Sequence, residues 1–299
     1  MTAENKLEPA CGADASPSVA GGPPRPQVDV VVLNWNGWCD TIACLASLQK
    51  QTYPNFHLLV VDNDSTDGSV QHIGEAMPSV ELIQSGGNLG FGGGCNVGIR
   101  LALERGADYV WLINSDAIAD PHALAALVAV AERDAALGSV GSVLYEAGEP
   151  DRIQLWGGGR VQLWSGQCYP QRAATSLDFI SGASVLLRCA ALREVGLFDE
   201  DRFFMYWEDA DLGLRLRQAD WRLAVAPESR VWHKLSASLG QGSPLLEQYF
   251  ARSGVRFLRR HSPVPTIAIA IMLGKMLFKR LLMGDWARAK AVLAGFRQA

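Results

Sequence analysis

VDVVVLNWN, residues 28–36, is a nearly unbroken run of apolar, mostly β-branched residues that stops at a pair of asparagines. A strand with one wet face alternates apolar and polar residues, whereas a continuous run is what a strand shows when helices cover both faces of its sheet. Further runs of this design follow at 56–63 (FHLLVVDN), 80–86 (VELIQSG) and 109–116 (YVWLINSD). Helical stretches separate them. One has Asp40 as its expected N-cap with Ile42, Leu45 and Leu48 on one side; others are STDGSVQHIGEAM (65–77, with its loop), GGGCNVGIRLALERG (92–106), and a helix opening at Asp120 with Pro121 in its first turn. Alternating strands and helices predict an α/β class with a Rossmann-like, mostly parallel central sheet. Ligands of such sheets lie beyond the carboxyl ends of the strands, where Asn34, Asn36, Asp62, Asn63, Asn114 and Asp116 all fall.

Outward from this region the pattern changes. From about Val143 to Phe179 short Gly- and Trp-containing stretches such as LWGGGRVQLWSGQCY (155–169) read as hairpins. A helix is expected over Cys189–Val195, closed by Gly196, another from about Trp207 to Ala219, and a strand over RLAVAPESRVWH (222–233). Residues 1–27, rich in Pro, Gly, Ala and Ser, read as a disordered lead. The expected organisation is that lead, a catalytic domain over 28–240, and a basic amphipathic helical region over 241–299.

The 299-residue chain is long enough to bury its own core, and its net charge of -4 points away from nucleic acid. That average conceals an asymmetry: residues 251–299 carry ten Lys or Arg against a single Asp, leaving the first 250 residues at -13. The tail is thus the part suited to an anionic surface. Its apolar stretch VPTIAIAIMLGKMLFKRLLMG is interrupted by Lys275, Lys279 and Arg280, which argues against a spanning helix. Two readings stand level: a helix lying in an anionic membrane interface, or one docked on the catalytic domain. Six cysteines without zinc-like spacing, and no signal peptide at the N-terminus, fit a cytoplasmic location, with or without peripheral attachment to the inner face of the membrane.

Four features carry candidate chemistry. Asp116, at the end of LINSD, can hold a hard divalent cation against a diphosphate, although Asp is also common in turns. Asp62 and its neighbours in VVDNDSTDGS can hydrogen-bond a nucleotide. The glycine-rich segment GGNLGFGGGCNVG (86–98) reads as a loop able to approach an anion, but it fits neither a P-loop nor a dinucleotide fingerprint. In FMYWEDADLGLRLR (204–217), Glu208 and Asp209 follow an aromatic run whose Tyr206 and Trp207 suit a wall for a sugar ring. A carboxylate there can deprotonate a hydroxyl. Asp211, four residues before Arg215, reads as half of a surface ion pair. His233 gains meaning only beside Asp116.

In order, VVLNWNG, VVDNDSTDGS, NLGFGGGCNVG, LINSDA, FISGASVLLRCAALREVGLFDEDRFFMYWEDADLGLRL and VWH resemble the family 2 inverting glycosyltransferases of the GT-A fold, most closely the bacterial rhamnosyl- and galactofuranosyltransferase branch. The resemblance spans about Val28 to Ser238. It implies that Asn34, Asn36 and Asp62 line a nucleotide-sugar site with Asn63, Asn88, Asn96 and Asn114, that Asp116 and His233 hold Mg2+ or Mn2+, and that Asp209 is the base with Glu208 beside it. Asn114 stands where the family's metal motif often has an aspartate. The implied donor is dTDP-rhamnose, with UDP-galactofuranose or another UDP-hexose behind it. The implied acceptor is a glycan or lipid-linked glycan of cell-envelope polysaccharide synthesis. The competing classes are a metal-dependent nucleotidyltransferase, which would carry a basic glycine-rich loop where NWNGWCD stands, and a non-catalytic sugar-nucleotide-binding module.

Overall fold

The computed structural model describes residues 25–234 and 243–299. The lead expected over 1–27 lies outside these except for its last three residues. These are held rather than loose: Asp108 and Tyr109 donate their amides to the Gln27 carbonyl, and the Gln27 amide donates to Asp108 Oδ2 at 2.8 Å.

β1 (Val28–Asn34), α1 (Trp38–Leu48), β2 (Phe56–Asp62), α2 (Ser69–Ala76), β3 (Glu81–Gln84), α3 (Gly90–Glu104) and β4 (Tyr109–Asn114) form the first half. Their strands run parallel in the order β3-β2-β1-β4. The apolar runs are explained by two-sided burial. Val28, Val30 and Val32 face a core shared with Leu45 and Leu48 of α1, while Val31, Leu59 and Val61 face Cys95 and Ile99 of α3. Each fully buried aliphatic side chain contributes about 1.5–3 kcal/mol.

The helix starts differ from expectation. α1 is capped by Gly37, so Asp40 sits within its first turn, where the helix dipole favours it. The fourth helix begins at Ala123, after Asp120 and Pro121, and Asp120 Oδ1 accepts from the His122 amide at 2.8 Å. α3 bears out the helix expected over 92–106 but starts at Gly90, so most of the segment also expected to act as an anion-approaching loop is helical. Here the glycines serve helix-to-strand packing. A Cβ on Gly94 would lie 2.5 Å from Leu33 Cδ1, and one on Gly98 2.5 Å from Val31 Cγ1.

The second half comprises β5 (Ala117–Ala119), α4 (Ala123–Ala131), β6 (Leu137–Glu146), β7 (Glu149–Trp156), β8 (Gly158–Gln162), β9 (Gln167–Pro170), β10 (Phe179–Ile180), β11 (Ser184–Arg188), α5 (Cys189–Val195), α6 (Glu208–Gln218) and β12 (Arg222–His233). The main sheet continues β4-β11-β6-β12-β5, with β7 on β6, and β10-β8-β9 form a small antiparallel sheet. The antiparallel β12–β5 ladder sets His233 opposite Ala117, and so beside Asp116.

α7 (Pro244–His261), α8 (Pro265–Leu282) and α9 (Trp286–Arg297) complete the chain. α7 is docked: Val255, Phe257 and Leu258 are fully buried in one core with Phe203 and Trp207. Asp211 ties the same two regions together. Instead of a surface pair it is a fully buried carboxylate, 2.7 Å from Arg215 Nε, 2.7 Å from His261 Nε2 and 3.1 Å from Arg260 Nη1. Burial alone would raise its pKa, but the His261 hydrogen bond and the two guanidiniums outweigh that and hold it below the ordinary aspartate value. Among the described residues no helix is long and apolar enough to cross a membrane.

Candidate active site

Parallel register aligns Asn34 with Asp62 at the ends of β1 and β2. Their side chains bond each other: Asn34 Nδ2 donates to Asp62 Oδ1 at 2.7 Å, and Thr41 Oγ1 donates to Asn34 Oδ1 at 2.7 Å. The Ser65 amide donates to the other Asp62 oxygen at 3.0 Å. Asn36, with φ of 50°, accepts from the Thr66 amide at 2.7 Å. This network fixes the loops after β1 and β2. Asn34 and Asp62 are buried and their polar atoms occupied, so neither reaches the cavity next to them.

That cavity, about 470 Å³, is lined by Asn63, Asn88, Asn114, Asp116, Tyr206, Glu208, Asp209 and His233 among others. Asn63 and Asn88 brace the start of α3: Asn63 Oδ1 accepts from the Leu89 amide, and Asn88 Oδ1 from the Gly90 amide, both at 3.0 Å. Besides Asn34 and Asp62, three more expected residues are elsewhere. Asn96 is buried and staples α3 to the Phe198 backbone and Glu200. Asn36 stays with the loop network. Trp207 is not part of a sugar-facing wall; it is buried and packs on Phe250 and Phe257, with ring centroids 5.4 and 4.8 Å away.

On one side of the cavity, His233 Nε2 lies 3.3 Å from Asp116 Oδ1 and 3.1 Å from Asn114 Nδ2. Gln154 sets the imidazole tautomer. Its Nε2 donates to the His233 carbonyl, which turns its Oε1 toward His233 Nδ1 at 2.9 Å. Nδ1 therefore carries the proton, and the Nε2 lone pair faces the Asp116 carboxylate. Two acceptors converging on one space suit a cation between them. Among the described residues no group of three His, Cys, Asp or Glu forms a cage. A pair of protein ligands fits a divalent ion that completes its shell with diphosphate oxygens and water.

The opposite side is held under strain. Phe91 donates its amide to the Phe204 carbonyl at 2.8 Å, and Gly90, at φ of 74°, lies so close that a Cβ would be 2.0 Å from that oxygen. Any side chain at Gly90 would displace the 204–207 segment. Tyr206 and Trp207 then both adopt positive φ, 68° and 72°, a conformation costly for bulky residues. Their reversal aims the start of α6 into the cavity. Glu208 is buried with Oε2 unpartnered. Asp209 accepts from the Ala210 amide at 2.7 Å and, weakly, from the Gly182 amide at 3.4 Å. Burial pushes Asp209 up to about 6, against the pull of these amides. Burial, and then the adjacent Asp209 charge, raise Glu208 well above the usual carboxylate range. Burial thus favours the neutral form of Glu208 and brings Asp209 to titrate near 6, an arrangement suited to accepting one proton.

Sequence reasoning overlooked part of the lining. Ser181, Gly182 and Ala183 come from the β10–β11 connection, and Leu245, Leu246 and Tyr249 come from α7. The first group carried a signal in the short SGA turn; the α7 residues carried none.

A family profile described as "Glycosyltransferase like family 2" matches residues 24–250. The N-acetylglucosaminyl-diphospho-decaprenol L-rhamnosyltransferase of Mycobacterium tuberculosis is 32% identical over 223 residues, covering 66% of this chain and 72% of that protein. Galactofuranosyltransferase GlfT1 of the same organism is 26% identical over 254 residues, covering 81% and 80%. Among solved structures, the mannosyltransferase PcManGT from Pyrobaculum calidifontis, in complex with GDP-Man and Mn2+, shares the fold with a TM-score of 0.59 at 20% identity, over 90% of this chain and 74% of that one.

Proposed function

Since the chain belongs to the family 2 glycosyltransferases, we propose that it is an inverting hexosyltransferase whose preferred donor is dTDP-L-rhamnose and whose acceptor is a lipid-linked saccharide of envelope polysaccharide synthesis. The donor and acceptor reading is supported by the relative named as an L-rhamnosyltransferase at 32% identity. A galactofuranosyl donor is the second reading, supported by GlfT1 at 26%. The catalytic unit extends over 28–240, with 241–299 as an appended helical region.

The observation that carries the proposal is the arrangement of one cavity: Asp116 and His233 on one side, Asp209 on the other. Asp116 and His233 would hold Mg2+ or Mn2+, which when bound supplies positive charge against the leaving diphosphate. Gln154 keeps His233 oriented through Nδ1, leaving the Nε2 lone pair for the ion. Asp209 takes the acceptor hydroxyl proton as that oxygen bonds to the anomeric carbon; the bond from that carbon to the diphosphate oxygen breaks, and its electron pair leaves with the nucleoside diphosphate. One displacement inverts the anomeric centre. Burial of Glu208 favours its neutral form, which lessens like-charge repulsion on Asp209. Tyr206 borders the path by which an acceptor arrives.

The test is a panel of nucleotide sugars incubated with the full chain and Mn2+ or Mg2+, scored by release of nucleoside diphosphate. Release from dTDP-rhamnose above all others is expected; release from none of them contradicts the reading.

A further inference from the structure

A second cavity, about 610 Å³, opens behind Tyr206, and Tyr206 and Leu246 line both cavities. Its apolar surface comes from Phe250 of α7 and Met272 and Met276 of α8. Its charged lining is unbalanced. Glu247 Oε1 is shared by the guanidiniums of Arg280 and Arg288, so one carboxylate serves two cations. Lys275 and Lys279 line the same groove and make no ion pair among the described residues. The Arg280 side chain is 11% exposed, and Nε of both arginines is buried without a hydrogen-bond partner. Asp285 Oδ2 lies 3.8 Å from Arg288 Nε, too far for a hydrogen bond, so four cations face two carboxylates; the surplus positive charge and the unpartnered Arg280 Nε suit a bound anion.

The outer face of α8 indicates what carries that anion. Ile267, Phe278 and Leu282 form an outward stripe, 58, 64 and 72% exposed, with Leu281 beside it, and Met283 and Trp286 are exposed just past the helix end. At helical spacing Lys275 and Lys279 occupy the strip between this stripe and the groove-lining Met272 and Met276. A cationic groove edged by a bare apolar stripe is complementary to a phosphate ester on a long aliphatic chain.

We propose that the groove between α7, α8, α9 and the β8–β9 turn binds the phosphate-bearing stem of a lipid-linked acceptor. Its chain lies along the α8 stripe and its sugar passes Tyr206 toward Asp209. This rests on the glycosyltransferase reading but concerns separate residues, so the two can fail separately.

The experiment titrates geranyl diphosphate into the full chain by calorimetry, with geraniol, inorganic diphosphate and phosphatidylglycerol vesicles as companion probes. Geranyl diphosphate is expected to bind at least about tenfold more tightly than geraniol or inorganic diphosphate. Lys275→Ala/Lys279→Ala, both exposed and remote from the core, should weaken it by about tenfold or more without altering the melting temperature. Asp116→Asn should leave it unchanged. Wild-type affinity in the double variant, or loss in Asp116→Asn instead, overturns the proposal. Inorganic diphosphate binding as tightly as the prenyl compound overturns the lipid assignment, and complete displacement by the vesicles assigns the groove to membrane headgroups. Donor cleavage by the double variant without acceptor should match wild type. A chain that cleaves no donor yet binds geranyl diphosphate loses the transferase reading and keeps the groove.

Discussion

The ends of β1 and β2 and the start of α6 are both polar rims of one cavity region, yet they are built in opposite ways. At the strand ends Asn34, Thr41, Asp62 and Ser65 satisfy one another within 3.1 Å. At the helix start two bulky residues sit at positive φ, one carboxylate oxygen is orphaned, and both acids are pushed up by burial. A satisfied network holds loops in place at little cost, whereas an unsatisfied carboxyl pair is destabilising unless chemistry needs it. The difference separates a frame from a reactive group, although the sequence presents both as acidic clusters.

The sharpest way to break that contrast is Asp209→Asn. Turnover should fall by about a thousandfold, the range for losing a general base. The folded-state pKa of Asp209 lies above its unfolded value, so its ionised form opposes folding at pH 8, and the variant should melt at least as high as wild type there. A strongly destabilised variant would make Asp209 part of the frame instead. Asp211, two residues along the same helix, belongs to the satisfied kind: Asp211→Ala removes the carboxylate from the largely buried Arg215 and His261 side chains and should cost about 3 kcal/mol in urea unfolding, while Arg260 keeps Asp199. Asp62→Ala should cost about 1–3 kcal/mol through the orphaned Asn34 and Ser65 donors. If it instead kept full stability and lost donor affinity, Asp62 would be a ligand contact. The smallest effect is in pH. Turnover should rise with a slope of one through about 6 and level above it, leaving about a tenth of the plateau at pH 5; a flat profile between pH 5 and 7 would remove Asp209 as the titrating base.

Much of the parallel half was legible because two-sided burial writes itself as unbroken apolar runs, as in β1 and β4. The α3 glycines supported both a helix and an anion-approaching loop, since composition does not show that the missing Cβ serves to press the helix onto Val31 and Leu33. Asp116 and His233 could be named from local context, but their meeting depends on the β12–β5 ladder, which joins residues more than a hundred apart. Asp211 looked like an i,i+4 pair because its other partners, Arg260 and His261, lie on α7. Asn34, Asp62 and Trp207 show the converse: polar or aromatic character at a promising position says nothing about which way the side chain turns. In the tail α7 is docked, while α8, the apolar stretch for which two readings stood level, buries Ala268, Met272 and Leu273 against α7 and keeps an exposed apolar face.

The central claim is that donor and base occupy opposite sides of one cavity and do separate work. It is tested most directly by measuring dTDP-rhamnose affinity, by calorimetry with Mn2+, in Asp209→Asn and Asp116→Asn side by side. Asp209→Asn should bind the donor within about twofold of wild type, and Asp116→Asn should weaken it by about tenfold or more. Equal loss of donor affinity in both variants would contradict the division between the two sides.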